Sequence, residues 1–113
     1  MISSAIRQRY LQDPLPIRLG GLAADLARIA SFSENPRNHA AVSSLLEEGK
    51  WFAEWAAPDA PLEVQEKLAQ VQIQLAIWHH GWLNGIPQPD LSTQAQRWSE
   101  ELLELSGIRT GLR

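Results

Sequence analysis

The sequence predicts an all-α fold, an up-down-up-down antiparallel four-helix bundle with a short extra N-terminal helix. Apolar residues recur at steps of three and four through four long segments, the spacing that returns side chains to one side of an α-helix. The connections between those segments are short and rich in Pro, Gly and Asn, so neighbouring helices run antiparallel. No strand signal competes. Val71-Gln72-Ile73-Gln74-Leu75 alternates, but it sits inside a longer helical pattern, and length favours a helix.

Residues 3–11 read as a short helix capped by Ser3 or Ser4, with Ile2, Ile6 and Tyr10 on one side. A helix this short must dock to persist. Asp13-Pro14-Leu15-Pro16 breaks it, because proline removes a donor and pushes its predecessor toward extended backbone. The first long helix follows over 17–32, with Leu19, Leu22, Ala23, Leu26, Ile29 and Ala30 as its core stripe. Gly20-Gly21 near its start implies close approach of another helix, in preference to backbone packed against a ligand.

Asn35-Pro36 is a helix start, with Asn as cap and Pro in the first turn. That helix extends to Ala56 on Val42, Leu45, Leu46, Gly49, Phe52 and Ala56, and Lys50 can pair with Glu54 across one turn. The third runs from Pro61 to Gly85. Val64, Leu68, Val71, Leu75, Trp78 and Trp82 form its stripe, and Ile73 with Ile77 add a second row. Two apolar rows call for more than one covering neighbour. Gly85 stops this helix, and Pro87 and Pro89 prevent its continuation. The fourth begins at Asp90 or Ser92 and carries Leu91, Ala95, Trp98, Leu102 and Leu105, with Arg97 and Glu101 paired outside. Gly107 closes it, Ile108 folds back as a capping contact, and the tail frays.

A chain of 113 residues is one domain with one core, with 1–15 as an N-terminal arm and 108–113 as a flexible tail. No apolar run approaches the ~20 residues of a membrane span, and the opening residues lack the pattern of a secretory signal. The absence of cysteine excludes disulfides, Cys-ligated zinc and a thiol nucleophile, and suits a reducing cytoplasm. Residues 1–37 carry five Arg against three acids, whereas 38–107 carry three basic residues against ten acids. Such an acidic body disfavours nucleic acid, whose phosphates need concentrated positive charge.

The shared bundle end collects Glu34, His39, Trp78, His79, His80, Trp82, Asp90 and Trp98. Trp78, Trp82 and Trp98 could wall a small-molecule pocket, with His79, His80 and Asp90 as its polar groups. The tryptophans' place on the core stripes also fits plain packing. His39, His79 and His80 are the candidate metal ligands. Against them, His79 and His80 diverge by about 100° on a helix, and neither His-x-x-x-His nor Glu-x-x-His occurs. No motif implies a cofactor, and no catalytic constellation is present.

Trp51 and Trp55 share a face offset from the Val42–Leu45–Phe52 stripe. Burying one such side chain removes roughly 150–250 Å², so something is expected to cover them: the arm with Tyr10, or a second copy. Exposed aromatic patches mark contacts. The resulting expectation is a non-catalytic protein-interaction module or small subunit of a larger complex. It would self-associate through Trp51 and Trp55, with Lys50 and Glu54 at the rim. Ligand or metal binding at the His/Trp end is the alternative.

Overall fold

The structure is a computed structural model that describes residues 3–107. Among the described residues it is all-helical: α1 (Ser4–Gln12), α2 (Leu15–Phe32), α3 (His39–Ala56), α4 (Leu62–Leu83) and α5 (Leu91–Ser106). Short 3-10 turns, Pro36–Asn38 and Ala57–Asp59, lead into α3 and out of it. None of these helices is long and apolar enough to cross a membrane. The expectations for Ile2, Ile108 and the tail lie outside the described residues.

The caps follow local chemistry. Ser3 caps α1, its hydroxyl accepting from the Ile6 amide at 3.2 Å. Asn35 likewise accepts from the Arg37 amide at 3.0 Å. Helix α2 begins two residues earlier than expected, at Leu15, because Pro16 occupies its first turn, where the missing N–H costs nothing. Gly85 and Gly107 hold φ of 68° and 78° beyond the ends of α4 and α5, conformations that favour glycine.

Helix α2 packs on α5 and α3, α3 packs on α4, and α1 lies across α3. Polar contacts show the antiparallel sense. Ser92 and Ser99 of α5 donate to the carbonyls of Ala30 and Ala23 on α2, at 2.8 and 2.7 Å. Trp82 at the end of α4 donates to the His39 carbonyl at the start of α3, at 2.9 Å. Helices α4 and α5 meet sparsely, through Trp78 against Trp98 and a 2.7 Å Lys67–Glu101 ion pair. Leu22, Leu46, Val71, Leu75 and Leu102 are buried in the common core.

Four expectations need correction. The second row of α4 is uncovered: Ile73 is 63% exposed and Ile77 56%, because α3 takes one side of the helix and α5 touches it only lightly. Leu105 is also exposed. At Gly21 the nearest atom belongs to Tyr10 of α1, 3.9 Å from where a Cβ would sit, an ordinary contact; α3 and α4 come closer at Gly49, where a Cβ would sit 3.0 Å from Leu75 Cδ1. The ion pairs are exchanged as well. Lys50 binds Glu47 at 3.2 Å instead of Glu54. Glu101 takes Lys67, while Arg97 bonds Gln94.

Candidate functional site

Helix α1 is fixed by Tyr10. Its ring stacks on Phe52 of α3, centroids 4.0 Å apart, and its hydroxyl donates to the Arg18 carbonyl at 2.9 Å. Burial raises the phenol well above its ordinary range, which keeps the hydroxyl a donor. Arg18, itself buried, donates through Nε to the Asp13 carbonyl and through Nη1 to Asp59 Oδ2, both at 3.0 Å.

The fixed helix forms one wall of a cleft of about 670 Å³ between α1 and α3. Its floor is the Trp51–Trp55 pair, ring centroids 5.9 Å apart and planes 29° from parallel. Arg7 places its guanidinium carbon 5.9 Å from the Trp55 ring centroid, within reach of a cation–π attraction. Leu11 and Pro58 add apolar wall, and Ser3, Ser4, Glu54 and Asp59 supply the polar groups. Trp55 is buried beneath α1, while Trp51 stays half-buried.

Of the four residues expected at a partner surface, Trp51, Trp55 and Glu54 line this cleft and Lys50 does not. Lys50 turns to Glu47, whose carboxylate also accepts from Trp51 Nε1 at 2.9 Å and lies 3.3 Å from His79 Nδ1. The Trp51 hydrogen bond, chiefly, holds the Glu47 carboxyl below its usual range. That bond fixes the indole plane at the cleft floor.

At the other end the expected ligand residues separate. Trp78 and Asp90 share a cleft of about 320 Å³ with Gln74, Gln88, Pro89 and Gln94. Trp98 packs against Trp78, centroids 5.9 Å apart, with the Lys67 ammonium 5.5 Å from its ring. Trp82 stacks on His39 at 4.9 Å. His79 faces Ser43 and Glu47 on α3; burial first, then Lys50, lowers its pKa. His80 is exposed. Among the described residues no three His, Asp or Glu side chains gather as a metal ligand set.

Sequence reasoning missed Asp25. It is 2% exposed, its Oδ1 lies 3.5 Å from Arg28 Nη1, and its carboxyl faces the Glu48 side chain. Burial, reinforced by Glu48, raises its pKa to about 8. The signal was phase: Asp25 falls between Leu22, Leu26 and Ile29 on the α2 stripe. Sealed from solvent, it cannot meet a dissolved substrate in this conformation.

No protein-family model, curated protein or solved structure matches the chain.

Proposed function

We propose that this chain is a non-catalytic protein-interaction module, working in the cytoplasm that a cysteine-free domain suits. Its four long helices form an up-down-up-down bundle that acts as a rigid scaffold, and the α1–α3 cleft receives an apolar side chain of a partner protein. The cleft itself carries this reading. It combines a paired-indole floor, one half-buried tryptophan held in orientation by Glu47, and a polar rim of Arg7, Glu54 and Asp59. Anchors of this kind concentrate binding energy when a partner excludes water from them. The cleft's volume of about 670 Å³ lies in the ordinary range of binding clefts.

Selection of a displayed random-peptide library on the immobilised protein tests the reading. Enriched peptides should share an apolar anchor, perturb tryptophan fluorescence and lose at least about tenfold in affinity to Trp51→Ala, a loss of ~1.4 kcal/mol. Peptides that bind the Trp51→Ala protein equally well, or no enrichment at all, would remove it.

A further inference from the structure

Helix α4 presents Leu62, Glu66, Ala69, Ile73, Ile77, His80 and Asn84 as one exposed stripe along its length and onto its cap. No described element covers it. Leu62 is 71% exposed, and Ile73 and Ile77 lie open beside it. Any helical stripe returns the same steps on either side of a central residue, so the informative feature is which residues stand at matching steps from Ile73. Counted outward, Ala69 matches Ile77, Glu66 matches His80, and Leu62 matches Asn84. On an ideal helix these positions fall within about 40° of the Ile73 direction.

We infer that α4 is a self-association surface, on which a second copy of this chain packs antiparallel about a two-fold axis through Ile73. A two-fold axis sets each residue against its match on the other copy. Ile73 then meets Ile73. The small Ala69 receives the larger Ile77, twice. The Glu66 carboxylate accepts a hydrogen bond from the His80 imidazole, also twice, and Leu62 lies against Asn84 of the other copy at each end. Parallel pairing in register would instead set Glu66 on Glu66 and Ile77 on Ile77, so like charge and crowding select the antiparallel sense. The stripe spans about 33 Å, which makes a surface smaller than the ~800 Å² per partner of a standard interface. A contact confined to one helix stripe suits a reversible dimer. This surface lies on α4, away from the α1–α3 cleft, and does not depend on the cleft's role.

Sedimentation of the full chain from micromolar to millimolar concentration should show monomer passing to dimer. Ile73→Glu should weaken the dimer at least 100-fold with helicity unchanged. Glu66→Lys and His80→Glu should each weaken it, and together restore it, since the exchanged pair has the same complementarity. Trp51→Ala should leave it intact. The cysteine-free chain permits a positional check under mild oxidation. Glu66→Cys mixed with His80→Cys should crosslink, whereas Glu66→Cys alone should not, because its two copies stand about 21 Å apart along the axis. A monomer at every concentration, a dimer insensitive to Ile73→Glu, or a dimer lost with Trp51 instead would overturn the inference. Efficient Glu66→Cys self-crosslinking would overturn the antiparallel register.

Discussion

On α3 the aromatic side chains that face α1, Phe52 and Trp55, are covered by it; on α4 the second apolar row, Ile73 and Ile77, lies open. Both helices have broad apolar faces in the sequence, and periodicity alone does not distinguish them. The difference comes from what the chain can bring to each. Asp13-Pro14 turns the chain between α1 and α2, so α1 returns along its own neighbourhood and its single buried residue, Tyr10, reaches Phe52. No segment of that kind follows α4. Its exit, Gly85 to Pro89, leads directly to α5, which pairs with α2.

Removing Tyr10 should convert the covered face into an open one. Tyr10→Ala should cost about 3–5 kcal/mol if α1 detaches, by analogy with other buried aromatic truncations. Denaturant melts would measure the loss, and a red shift of tryptophan emission in the folded variant, absent when Trp55 is replaced by Phe, would locate it.

The covered side also encloses an acid. Asp25 binds its proton up to about pH 8 when folded, while in the unfolded chain it releases it near 3.8. The folded state therefore holds the extra proton between those values. Stability should be greatest at the acid end of that window and fall as pH rises toward 8, by on the order of 3 kcal/mol between pH 5 and 8. Asp25→Asn should flatten that slope in urea melts recorded across the range, with any other titrating group leaving the remainder.

Glycines sharpen the contrast further. Gly49→Ala drives a methyl to 3.0 Å from Leu75 and should destabilise by about 1–3 kcal/mol. Gly21→Ala meets Tyr10 only at ordinary contact distance and should gain up to ~1 kcal/mol from helix propensity. Thermal melts of the two variants should move in opposite directions. The smallest effect belongs to the open face: Ile73→Gln should change monomer stability by no more than about 0.5 kcal/mol at dilute concentration. Leu75→Ala, two residues away and buried, should cost ~2–5 kcal/mol by the same melt.

The all-helical class, the helix positions and most of the core were readable because each follows from local spacing. Val71, Leu75, Trp78 and Leu102 all point inward as their phase requires. The covering of Trp55 by Tyr10 was readable only as one of two choices, since periodicity places a face but names no neighbour. Asp25 escapes a reading by periodicity, because that reading ranks apolar positions and leaves a carboxylate beside the core stripe unmarked. The partners of Lys50 and Arg97 were misjudged for another reason. Pairing one turn ahead on the same helix competes with carboxylates and amides already fixed nearby, such as Glu47, and those are visible only in three dimensions.

Arg18 joins parts of the chain that its sequence neighbours do not. One guanidinium holds the corner after α1 through Asp13 and the α3–α4 corner through Asp59, while its own carbonyl receives Tyr10. The corner after α1 and the turn at 57–59 are thereby tied through one cation buried from solvent, and Asp59 of that turn also lines the tryptophan cleft.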